Sequence, residues 1–71
     1  MDKLITITWE NDAGESCYGD AIVEFTRYDE DGKIVNEILN IFLPEGLQPH
    51  QLQYAKDITA RNFHNGEGYN I

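Results

Sequence analysis

Only one stretch of this chain has helical spacing, and it follows three stretches with the period of a strand. Residues 3–9 (KLITITW) alternate and are rich in β-branched side chains. They predict a strand with Ile5, Ile7 and Trp9 on one face and Leu4, Thr6 and Thr8 on the other. Residues 21–28 (AIVEFTRY) and 33–43 (KIVNEILNIFL) predict two more strands. From Pro49, the residues Leu52, Ala55, Ile58, Thr59, Asn62 and Phe63 recur at helical intervals. Pro49 suits a first helical turn, where its missing N–H costs nothing, and Asn65-Gly66 suits a helix end. The spacing predicts a helix over 49–64. Strands grouped before a helix imply an α+β fold, a three-stranded antiparallel β-meander packed against one C-terminal helix. Residues 66–71 (GEGYNI) are open between a short fourth edge strand and a tail that packs Tyr69 and Ile71 on the sheet.

The connections carry their own signals. Residues 10–20 (ENDAGESCYGD) hold two glycines and four acids with little periodicity, and read as a loop. Asp29-Glu30-Asp31-Gly32-Lys33 reads as a three-residue hairpin loop, with Glu30-Asp31 central to a type I turn and Gly32 in a left-handed bulge. That loop sets Val23 opposite Leu39, Ala21 opposite Ile41 and Arg27 opposite Val35. The resulting core face is Ala21, Val23, Phe25, Val35, Leu39, Ile41 and Leu43, with Glu37 at its rim within reach of Arg27. The other face then carries Leu4, Ile22, Ile34, Ile38 and Phe42 among Thr and Asn. A solvated face should be more polar than this. Its expected covers are the 10–20 loop and the tail, a second copy of the chain, or a foreign partner.

A chain of 71 residues makes one domain, 1–71, with a core expected to supply only ~3–5 kcal/mol of net stability. Cys17 is the only cysteine, so no internal disulfide reinforces it. No run approaches the ~18 apolar residues of a membrane span. The start, Met1-Asp2-Lys3-Leu4, lacks the features of a signal peptide. With one unpaired thiol, this leads to the expectation of a reducing, cytoplasmic setting.

Charge is the most unusual property. Thirteen acids against five Lys and Arg give a net charge of −8. Residues 1–45 hold eleven of the acids and three of the bases, which accounts for the whole excess; residues 46–71 hold two of each. Such a chain repels nucleic acid and anionic membranes and attracts basic surfaces.

Motifs for chemistry are missing. Cys17 with His50 or His64 is formally a thiol–imidazole pair, but no cation or helix N-terminus adjoins Cys17 in sequence to stabilise a thiolate. Asp29-x-Asp31-Gly32 resembles part of a calcium loop. Gly32 at its sixth position would put Arg27 first and Ile38 twelfth, where carboxylates are required. His50 and His64 lie fourteen residues apart at opposite ends of the predicted helix, unable to share a zinc ion. No phosphate-binding glycine loop precedes that helix. One helix on a small sheet is also expected to leave no pocket of ~300 Å³. Neither a cofactor nor a metal is expected, nor catalysis.

The remaining signal is the acids themselves. Glu10, Asp12, Glu15, Asp20, Glu24, Asp29, Glu30 and Asp31 form the expected partner-binding set. Alternate residues on a strand lie ~6.6–6.8 Å apart, close to the separation of successive phosphates on a nucleic acid strand. In size, charge and lack of catalytic motifs the chain resembles the tiny acidic proteins that phages and mobile elements use against host machinery, anti-CRISPR and anti-restriction proteins among them. The likeness lies in that profile, not in matched residues. It implies a non-enzymatic inhibitor acting as a nucleic-acid mimic on a basic protein surface, without binding nucleic acid or membrane. The alternative expectation is an accessory subunit, a homodimer for example, docking through Ile22, Ile38 and Phe42 on the outer sheet face.

Overall fold

The computed structural model describes all 71 residues. Three long strands, β1 (Asp2–Glu10), β2 (Ser16–Glu30) and β3 (Lys33–Phe42), pair antiparallel. A 3-10 turn over Pro49–Gln51 leads into the helix α1 (Leu52–His64). The chain then returns as β4 (Tyr69–Asn70), antiparallel to Lys3 and Leu4 of β1, so the sheet order is β3-β2-β1-β4. The architecture is α+β, a meander with one C-terminal helix and a short fourth edge strand.

The expected loop at 10–20 is mostly strand. β2 begins at Ser16, and only residues 11–15 turn. Asn11 organises that turn: its Oδ1 accepts the N–H groups of Ala13 and Glu15 at 3.0 and 2.9 Å. Gly19 hid the strand, because glycine disfavours one. Its reason is close approach. A Cβ on Gly19 would sit 2.7 Å from Cβ of Pro44 and 3.2 Å from the Trp9 ring. The bare backbone lets the segment after β3 close over Trp9.

The hairpin loop has two residues instead of three. Glu30 pairs with Lys33, and Asp31 and Gly32 both have positive φ, 52° and 85°. This is a two-residue turn of primed type, whose twist matches the flanking strands. Arg27 therefore faces Asn36, and Tyr28 faces Val35. A bulge then shifts the register again. Glu24 faces Asn40 and Phe25 faces Ile38, leaving Leu39 as the extra residue. The expected pairing of Val23 with Leu39 becomes Val23 with Ile41. Ile38 and Ile41 both pack on the core, while Leu39 is 59% exposed. Val35 leaves the core face as well. Arg27 donates from Nε to Oδ1 of Asn36 at 2.9 Å, not to Glu37, which points to the opposite side.

One helix stripe closes the core. Ala55, Thr59 and Phe63 recur every four residues and are buried against Ile5, Ile7, Val23 and Phe25. Phe63 meets Phe25 edge to face, with centroids 4.9 Å apart. Thr59 is fully buried, but its hydroxyl donates to the Ala55 carbonyl at 2.7 Å. Leu52, expected on the buried face, is 42% exposed. At the C-terminal end the N–H groups of Gly66 and Glu67 return to the carbonyls of Phe63 and Asn62, with Gly66 at φ 83°. Gly68, at φ 95°, follows. A side chain there would collide with the Leu4 carbonyl oxygen, so glycine is what lets β4 reach β1.

The molecule measures 49 × 21 × 16 Å. Fifteen residues of β2 extend ~50 Å, whereas thirteen of α1 span ~20 Å. The helix therefore leaves the β2–β3 hairpin tip uncovered.

Phe63→Ala should remove about 3–5 kcal/mol, comparable with the whole stability expected of so small a core. Far-UV circular dichroism should show the variant largely unfolded at 25 °C; cooperative melting near the wild-type temperature would contradict this packing. The bulge gives a second test. Ile38→Asp should lower the melting temperature severely and Leu39→Asp only slightly, an order that the expected register reverses.

Candidate functional site

Because the helix covers one face, the pleat decides what the other presents. Even-numbered residues of β1 and β2 point away from α1, and the bulge places Phe42, Asn40, Glu37 and Val35 on the same side. Pairing aligns Phe42, Ile22, Leu4 and Tyr69 in one row across all four strands. Phe42 is 51% exposed and Tyr69 75%, while Ile22 and Leu4 are half-buried. Neither the 11–15 turn nor the tail folds over this row. The turn lies at one end of the sheet, and the tail pairs as an edge strand. Of the aliphatic residues expected here, Ile34 and Ile38 belong to the helix side; Tyr69 and Tyr18, the latter 80% exposed, take their place on this face.

Carboxylates flank the row. Asp2 faces Glu24 on one side of it, with Glu37 further toward the hairpin tip. Asp20 lies on the other side, its Oδ1 accepting the Thr6 hydroxyl at 2.7 Å, with Glu10 beyond. Glu30 shares this face, and Lys33 beside it is the only base that does. The other bases lie elsewhere. Lys3 and Arg27 alternate toward the helix side, and Lys56 and Arg61 are on α1. Folding thus separates by face charges that are mixed along the sequence.

The eight acids expected to bind a partner do not form one compact patch. Glu10, Asp12 and Glu15 cluster at the β1–β2 turn, and Asp29, Glu30 and Asp31 at the opposite tip. The length of β2, ~50 Å, separates the two groups. Asp20 and Glu24 lie between them on the helix-free face. Asp29 is also committed locally, since its Oδ1 accepts the Gly32 N–H at 2.9 Å. Asp2 and Glu37 join the face without having been in the expected binding set; Asp2 shares the parity of Leu4, whereas Glu37, expected at the rim of the core face, needed the true register. Tyr18 was missed because its segment read as loop, although Cys17, Gly19 and Ala21 alternate with Tyr18, Asp20 and Ile22.

The thiol and the two imidazoles are scattered. Cys17 faces Trp9 near one end of the sheet, and His50 and His64 sit at opposite ends of the helical segment. No three His, Cys, Asp or Glu side chains are grouped to hold a metal ion. The structure does have one concavity larger than expected, an open groove of about 460 Å³ between the end of α1 and the β2–β3 hairpin. His64 lines it, but neither Cys17 nor His50 does. No helix is long and apolar enough to cross a membrane. Comparison of the chain with protein-family models, with curated proteins and with solved structures finds no match.

The Asp29 contact separates a structural acid from its neighbours. Asp29→Ala should destabilise the domain by about 1 kcal/mol, and Asp29→Asn, which keeps the acceptor, by much less. Glu30→Ala should be nearly silent. Equal effects of the alanine variants in urea titration would remove the turn-holding role.

Proposed function

We propose that this chain is a non-enzymatic binding protein whose helix-free sheet face engages a basic, partly apolar surface of another protein. The reading extends to an inhibitor of the type used by phages and mobile elements, with a nucleic-acid-handling surface as its target. The observation that carries it is the segregation of charge. Six carboxylates (Asp2, Glu10, Asp20, Glu24, Glu30 and Glu37) share one open face with a single lysine, around an exposed row of apolar groups. Complementary charge speeds encounter and sets orientation, while apolar groups near the centre of a contact contribute most of the affinity. The expected set is refined accordingly: Asp20 and Glu24 are central, and the two tips are peripheral.

The alternative use of the same face is pairing with a second copy. A two-fold pair would bring the carboxylates flanking one copy's row against those of the other, and like charges brought together cost energy. The acidic rim therefore favours a basic partner over a second copy.

Affinity purification from the native host with mass spectrometry identifies the partner, and binding is then measured directly. Asp20→Lys with Glu24→Lys should weaken it by at least ~10-fold, and wild-type affinity should fall steeply between ~50 and ~200 mM salt. Phe42→Ser should weaken binding with little change in that salt slope. Salt-insensitive binding unaffected by the charge reversal would refute the acidic mode. A dimer at micromolar concentration in light scattering, dispersed by Phe42→Ser, would replace it with self-pairing.

A further inference from the structure

On a chain of net charge −8, the 460 Å³ groove on the helix side is lined by two of the five Lys and Arg side chains, by His64, and by no acid at all. From this geometry we infer a second binding site, for a small organic anion that carries a phosphate or carboxylate on a flat body. The groove lies on the face opposite the acidic one and is independent of the function proposed above.

Three features make it suited to such a ligand. The first is a fixed cation. Arg27 donates from Nε to Oδ1 of Asn36 at 2.9 Å, which orients the guanidinium and leaves its terminal N–H groups for a ligand. Asn36 itself lines the groove, so its amide donors add to the polar wall. The second is a cation on an aromatic floor. The ammonium of Lys3 lies 5.7 Å from the centre of the Phe63 ring. Phe63 is held against Phe25 below, while Ile34, 64% exposed, forms an apolar lip on the hairpin side. Phe63 and Phe25 are themselves buried, so the apolar surface open to a flat group is chiefly Ile34, with the group's charge toward Lys3 and Arg27. The third concerns the end of α1, whose free carbonyls would repel an anion. The carbonyls of Arg61, Asn62 and Phe63 already accept from Asn65, Glu67 and Gly66, so most of that negative end is occupied.

Asp29 shares the groove's side of the sheet, opposite Ile34, but is not in the lining, and its Oδ1 is committed to the Gly32 N–H. The acids of the opposite face act on an anion only at long range. Screening at physiological salt acts over ~8 Å, so the two local cations outweigh carboxylates on the far side of the sheet. The volume falls within the ~300–1,000 Å³ typical of small-molecule sites.

The test is a titration of the ¹⁵N-labelled full chain, followed by two-dimensional NMR, with adenosine monophosphate, 1-naphthoate, inorganic phosphate and adenosine as separate probes. At least one of the two flat anions should give saturable shifts centred on Lys3, Asn36 and His64 and on the Arg27 Nε–H. It should bind at least ~10-fold more tightly than phosphate or adenosine alone; which of the two does so identifies the head group. Lys3→Gln and Arg27→Gln, each checked for an unchanged spectrum elsewhere, should each reduce that affinity by ~5-fold or more. Absence of saturable shifts with both anions, or affinity unchanged in both variants, would overturn the assignment.

Discussion

Everything on the surface of this protein follows from one packing contact, the stripe of Ala55, Thr59 and Phe63 on Ile5, Ile7, Val23 and Phe25. A chain with one amphipathic helix can cover one sheet face and no more. Thr59 shows how tightly that contact is made: a polar side chain is admitted because its hydroxyl returns to the Ala55 carbonyl on its own helix. Once α1 is seated, the pleat divides every strand residue between a covered and an open side. A position's parity, more than its neighbours in sequence, then decides whether it meets a partner.

The same contact explains the shape. Because β2 outruns α1, the hairpin from Thr26 to Glu37 projects beyond the core, with most of its side chains in solvent. Where helix cover stops, a groove opens, and its polar lining comes from elements far apart in sequence: the cations Lys3 from β1 and Arg27 from β2, and the imidazole of His64 from the end of α1. Beyond Phe25, β2 has no partner on its β1 side, and an open strand edge of this kind invites aggregation. The bulge at Leu39 and the charges of Glu30, Lys33 and Glu37 counter this by twisting and solvating the edge.

Charge segregation and the exposed row are consequences of a single register. Leu4, Ile22, Phe42 and Tyr69 come from four strands and align only because the two-residue turn and the bulge together shift β3 by two positions from the pairing that a three-residue loop would impose. A one-residue slip would send Ile38 and Ile41 to solvent and Glu37 toward the core. The core therefore enforces the arrangement of the open face: the burial of Ile38 and Ile41 fixes where Glu37 and Phe42 must lie.

Much of this was legible in the amino-acid order. Period two in 3–9, 21–28 and 33–43, helical spacing after Pro49 and the Asn65-Gly66 stop determined the α+β class, the three long strands and the helix, because those signals are local; the short β4 was left open. The acidic excess was also apparent, and of the apolar residues expected on the outer face Leu4, Ile22 and Phe42 lie there, whereas Ile34 and Ile38 do not. The strand at Ser16–Asp20 was not, since the requirement for Gly19 comes from Pro44 and Trp9, distant in sequence. The hairpin register was not, since Asp31 and Gly32 fit more than one turn and nothing local announces a bulge at Leu39. Which acids share a face, and that Lys3, Arg27 and His64 meet in one groove, depends on pairing across strands and on where a short helix ends. Only the tertiary structure could decide that, because juxtaposition of residues remote in sequence is a property of register and packing, not of composition or period.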